Sequence, residues 1–408
     1  LDDWYFQSDI PKIKSEIDLS IIGNYKYNIR INGKLKLDKN NPSVKKNCLH
    51  IPGLGEGHCS VVSMGMNNIP AFKEEDYMLS KKNFISRLMF DYISFTSPRG
   101  QVSKFTKTWE DADKTLRLRY LDGQTSKKNF FKNKLPEEII NIENLKERAQ
   151  KVYQFLQKKL NWNNKYWTSE KLRIKKSFEE GSGSVDAINL ILYNSLQAAN
   201  IESYIVALST RENGLPTKLY PMVNDFNYII VKAIINGKAY FLDATNKNLS
   251  FGQIPFKCLN GDGRVLDFKK GSYWEEIKTK TNSSINTRLI LNLNNLGNLE
   301  GKMQIKRKGY FALNEREKIK VTTEDKYLDD FESKNPSLET ENYNTKNLLD
   351  NEKTLIQSFD LNIEIDKNNV IRLNPFFYNK FSENPFKLEK RNYPVDFGYS
   401  RSYTYAIS

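Results

Sequence analysis

The stretch from 181 to 201 constrains the fold more than any other part of the chain. It opens with Gly181-Ser182-Gly183-Ser184-Val185-Asp186 and continues as Ala187-Ile188-Asn189-Leu190-Ile191-Leu192-Tyr193-Asn194-Ser195-Leu196. The second half is apolar nearly all round, and a helix with no polar face is stable only when other elements surround it. The glycines before it are flexible backbone that lets the chain enter a crowded interior. Three strand-like runs follow, Tyr204–Ser209, Phe226–Ile234 and Lys238–Leu242. A central buried helix followed by strands is therefore expected.

The flanks have different periods. Residues 1–135 read mostly as strands: Ser15–Ile22 and Tyr25–Ile31 alternate with period two, and Asn32-Gly33 is hairpin chemistry. Ile69–Glu75 and Arg87–Phe95 continue the pattern, and Trp109–Leu116 looks like a short helix leaving it. In residues 136–275 the period lengthens, with Leu145, Ala149, Val152, Tyr153 and Leu156 on one helical face. Trp162 and Trp167 fall in a loop before a second helix at 168–179. Residues 276–408 return to strands, interrupted by a charged insertion at about 310–350 that reads as a solvated, partly helical face. The expected class is multidomain α+β: a β-sandwich, an α+β core and a second β-sandwich.

Charge narrows the function only slightly. The formal net charge is +14, but the lysines are scattered among Asn, Ile, Tyr and Phe, with no Arg-rich block and no stacking platform. Nucleic acid is not an expected partner, and a weak attraction to acidic surfaces is all that remains. No run of about eighteen apolar residues exists, so no membrane span is expected. The chain starts at Leu1-Asp2-Asp3-Trp4 without a signal peptide and stops inside the strand-like run 400–408, so both ends read as cuts. Of three cysteines, Cys48 and Cys59 bracket a Gly-rich turn that also carries His50 and His58. A loop-closing disulfide, a zinc knuckle and ordinary thiols are the three readings of that set; its spacing matches no common finger, and no metal is expected. No P-loop, dinucleotide fingerprint or metalloprotease motif occurs, and no cofactor is expected.

Gly183-Ser184-Val185, Ile188-Asn189-Leu190, Leu208–Gly214, Phe226-Asn227-Tyr228, Leu242-Asp243-Ala244-Thr245 and Cys258–Gly261 occur in that order. The set resembles the core of the transglutaminase-like, papain-related superfamily, in the form found in exported Bacteroidota proteins built as β-domain, transglutaminase-like domain, β-domain. The flanking runs Asn68–Glu75 and Arg391–Tyr399 agree with it. The resemblance implies a Gly-x-Cys-x-Asp turn opening the buried helix, then a His-bearing and an Asp-bearing strand. The Asp position falls on Asp243, the Cys position on Ser184 or Val185, and the His position on Asn227. It also implies a periplasmic or outer-membrane-associated location, with a protein partner in the envelope, such as an outer-membrane complex.

The residues themselves argue against catalysis. A hydroxyl or thiol nucleophile needs a neighbouring base, usually imidazole. The two histidines, His50 and His58, lie more than a hundred residues upstream of the helix, and no cysteine sits at a helix start. Ser184 is read as the helix N-cap. Asn227 can hydrogen-bond to Asp243 but cannot take up a proton, which leaves Asp243 as a structural acceptor. The expectation is a pseudoenzyme that binds or scaffolds, with Trp162, Trp167, Arg211 and Asn227 around the former cleft. The alternatives are a hydrolase or acyltransferase in which Asp186 activates Ser184, and a carbohydrate-binding protein using Trp162 or Trp167.

Overall fold

The computed structural model describes residues 1–51, 55–104, 108–121, 123–166, 172–279, 282–295, 297–334, 338–364 and 384–408. Its architecture is mixed α+β, with several sheets in chain order. Two four-stranded sheets form the first part. One holds Tyr25–Asn32 and Arg87–Thr96, the other Lys12–Ile22 and Gly55–Ile69. Their apolar faces meet at Phe6, Met66, Ile69, Leu88 and Phe90. The two runs around Gly23 therefore do not pair with each other; the chain changes sheet there. Nor is Asn32-Gly33 a hairpin turn. Gly33 has φ +98° and passes so close to Ser86 that a Cβ would stand 2.6 Å from its Cα. The strand pattern stops at Ile69, because Pro70 has no N–H to give a ladder.

The central helix is Val185–Ala198, with twelve buried residues. On one side it meets Tyr228–Ile235 and Glu202–Leu208, which lie within a five-stranded antiparallel sheet. On the other it meets the helices Lys128–Lys132, Leu145–Lys159 and Ile174–Glu180. Its two buried asparagines are fully used. Asn189 donates to the Ile229 carbonyl and accepts from the Ala244 N–H, while Asn194 bonds the backbone of Gln124, Lys127 and Leu190. Leu116, Leu121, Phe131 and Leu135 belong to the same core, so the helical stretch from Trp109 onward packs with the middle of the chain and not with the first sheets.

The last part differs from the expected sandwich. Among the described residues it is one five-stranded sheet, covered by the helices Tyr310–Lys320 and Glu324–Glu332. The charged insertion supplies that cover: Phe331 stacks on Phe359 at 5.1 Å, and Tyr310 and Leu313 reach into the middle core. Its alternation hides an apolar side that a charge count does not reveal. The final strand, Arg401–Ile407, joins parallel to Ser283–Leu293. Just before it, a strap passes back across the first part. Glu75 accepts the N–H groups of Asn392 and Tyr393, and Tyr393 stacks on Phe72 at 5.3 Å. No described helix is long and apolar enough to cross a membrane.

Candidate functional site

The site lies where the central helix begins. Ser184 has N-cap backbone geometry, φ −71° and ψ 170°, but its hydroxyl caps nothing. It donates to the Asp186 carboxylate, which also accepts from the Ala187 N–H at 2.9 Å. Val185, the first helical residue, is fully buried in an apolar cluster with Val206, Tyr228 and Cys258.

Across from this start, the Tyr228 hydroxyl donates to Asp243 Oδ2 at 2.7 Å and lies 3.2 Å from the Thr245 hydroxyl. Asp243 Oδ1 accepts the Thr245 N–H at 2.7 Å, and Tyr153 donates to the Asp243 carbonyl at 2.8 Å. Asp243 and Tyr228 are both wholly removed from solvent. Burial raises the Asp243 carboxyl, and the hydrogen bonds from Thr245 and Tyr228 hold part of that rise back. Burial, then the Asp243 charge, push the Tyr228 phenol and the Cys258 thiol well up. Neither the Cys258 thiol nor the Tyr228 phenol is therefore ionised near neutral pH.

Asn227 takes no part in it. Its amide oxygen accepts from the Thr210 N–H at 2.8 Å and its amide nitrogen donates to the Thr210 hydroxyl at 2.9 Å, on the side of the strand away from Asp243. The residue facing Asp243 is its neighbour. Successive strand side chains point to opposite faces, so this one-step difference decides which residue enters the site.

The mouth of the site is filled by a side chain that the sequence did not single out. The Lys257 ammonium stands 4.4 Å from the Trp162 ring centre, 4.6 Å from Tyr166 and 5.2 Å from Tyr228, and donates to the Tyr166 hydroxyl at 3.2 Å. The rings are set edge to face, Trp162 to Tyr166 and Tyr166 to Tyr228, each pair 5.7 Å apart. Nothing local in the chain signals this cage, since its parts lie up to 95 positions apart.

The remaining candidates separate. Arg211 is committed to the fold: it donates to the Leu259 carbonyl at 2.7 Å, pairs with Asp396 of the strap at 3.5 Å, and covers the Phe256 ring. It is not free to bind a ligand. Trp167 lies outside the described residues. Cys48 and Cys59 are joined in a disulfide. Among the described residues no group of three or more His, Cys, Asp and Glu is placed to hold a metal.

No protein-family model matches the chain, and no curated protein matches it. Solved structures that match include two bacterial proteins. A "putative protease" from Parabacteroides distasonis is 13% identical over 92% of this chain and 70% of its own, with a TM-score of 0.49. A "putative cysteine protease" from Cytophaga hutchinsonii is 10% identical over 67% of this chain and 84% of its own, with a TM-score of 0.27.

Proposed function

We propose that the chain is a non-catalytic, transglutaminase-like protein of the bacterial cell envelope that acts as a binding or scaffold subunit. The observation that carries this is the sealed pair at the helix start. Where an acyl-transfer site needs a nucleophile beside an imidazole, this chain has fully buried Val185 beside a phenol bonded to Asp243. A protonated tyrosine cannot serve as the base near neutral pH. The Cys48–Cys59 bond suits an oxidising compartment, which favours an exported protein. A pull-down from envelope membranes in mild detergent tests the scaffold role. A stoichiometric outer-membrane partner is expected, and recovery of the chain alone would sink it.

One observation favours a second reading. The Ser184 hydroxyl is hydrogen-bonded to the Asp186 carboxylate at the start of the helix, the arrangement a serine hydrolase without histidine would need. Ser184 is only 6% exposed, so a substrate has little access to its hydroxyl. A serine-reactive fluorophosphonate that labels the chain, but not Ser184→Ala, would decide for hydrolysis. Sugar binding has less support, because Tyr166 stands edge to face with Trp162 at 5.7 Å and the two rings make no flat stacking platform. A groove of ≈ 700 Å³ on the last sheet, lined among others by Asn292, Glu300, Asp360 and Asn362, has no aromatic ring among its described residues for a sugar to stack on.

A further inference from the structure

We propose that Trp162, Tyr166 and Tyr228 form a binding site for an alkylammonium head, occupied in this structure by the chain's own Lys257 as a displaceable stand-in. The inference goes beyond the scaffold reading, because the ring set exists whether or not the chain has an envelope partner.

Three aromatic faces around one ammonium make a cation-binding cage, since each ring presents the negative face of its quadrupole. Tyr228 forms the buried floor, and the buried Asp243 carboxylate hydrogen-bonded behind it adds negative potential. Trp162 and Tyr166 are half-buried walls, so part of each ring-bearing side chain stays in contact with water. Trp162 is fixed by donating its indole N–H to the Lys165 carbonyl at 2.8 Å, which keeps the wall in place when the cage is empty.

The occupant is held lightly. Among the described residues the only hydrogen bond of Lys257 goes to Tyr166, and no carboxylate stands within ion-pair range of it. Lys257 sits in a single 3₁₀ turn, Phe256–Cys258, and is itself half-buried. Its long stem can swing to solvent without disturbing the backbone. An incoming ammonium would make the same ring contacts. What it competes against is the tether, which keeps the Lys257 ammonium at high local concentration.

The test uses the full chain and ligand-observed NMR titration with n-butylammonium chloride. Potassium chloride serves as the salt control and n-butanol as the uncharged analogue. Lys257→Ala, checked for an unchanged near-UV circular dichroism spectrum, is expected to bind n-butylammonium saturably. Wild type should bind it at least about tenfold more weakly. In Lys257→Ala, n-butanol should bind at least about tenfold more weakly than the cation, and adding Trp162→Ala should cost a similar factor. Lys257→Gln, which keeps the stem without the charge, supplies the same comparison if the alanine variant does not fold. N-acetyl-lysine methylamide separates the two sources of this chemistry: tighter binding than n-butylammonium assigns a peptide lysine, weaker binding a free amine. The proposal is overturned if the folded Lys257 variants show no saturable binding, if butanol binds as well as the cation, or if removing Trp162 changes nothing.

Discussion

Tyr228→Phe removes the one oxygen atom that ties Tyr228 to Asp243. The lost hydroxyl is the donor to Asp243 Oδ2, at 2.7 Å, with neither residue exposed to solvent. Water cannot reach the vacated position without a cavity to hold it, so the carboxylate keeps only what Thr245 supplies from its N–H and its hydroxyl. A hydrogen bond to a charged acceptor contributes about 1.5–3 kcal/mol, and an acceptor left bare in the interior costs at the upper end of that range. The expected loss is about 2–3 kcal/mol at pH 7.

The pH dependence follows from the sign of the shift. Burial raises the native Asp243 pKa above its unfolded value of 3.8, so the folded state holds its proton more tightly. That contribution is complete below the unfolded value and is lost as pH rises through the folded one. Tyr228→Phe raises the folded value further, so its cost should grow as pH increases over that window. Asp243→Asn should remove the dependence, and in that background Tyr228→Phe should cost about 1 kcal/mol or less, the worth of an ordinary hydrogen bond. The assay is urea denaturation followed by circular dichroism at several pH values. A cost below about 0.5 kcal/mol at pH 7, or an equal cost with and without the carboxylate, would refute the reasoning.

Three further outcomes are expected. Arg264 forms two hydrogen bonds to Asp113, at 3.0 and 2.8 Å, in the interior between the Trp109 and Trp274 rings, so Arg264→Ala should cost about 3–5 kcal/mol by denaturation and change the near-UV spectrum. Burial acts to raise Glu75, but the N–H groups of Asn392 and Tyr393 and the charge of Arg391 outweigh it and hold its pKa below 4.5; its contribution is present above that value and lost as pH falls through the folded one. Glu75→Gln should flatten this acid limb and speed hydrogen exchange at 391–396. Reducing the Cys48–Cys59 bond should remove about 3 kcal/mol of loop-closure stabilisation from the first part, while the melting of the central core is unchanged.

The central helix was legible because apolar residues on every face leave a helix only one place to be. The strand after it was legible as a strand, but not in its facing: Asn227 and Tyr228 differ by one step, and one step turns a side chain from one face to the other. Periodicity also found Ser15–Ile22 and Tyr25–Ile31, yet period two says nothing of which strand pairs with which, and these two joined different sheets. The insertion near 310–350 misled for a different reason. Its charged residues set its composition, while Tyr310, Leu313, Tyr327 and Phe331 set its packing. Lys257 carried no local signal at all, since a cage made by residues 162, 166 and 228 exists only after folding.

The most direct test of the central claim is turnover by the purified chain, using denatured casein with a fluorescent primary amine for acyl transfer and the same casein alone for peptide hydrolysis. Rates indistinguishable from the buffer blank are expected in both, for wild type, Ser184→Ala and Tyr228→Phe alike. Turnover in the wild type that either substitution abolishes would contradict that claim and make the helix start an active site.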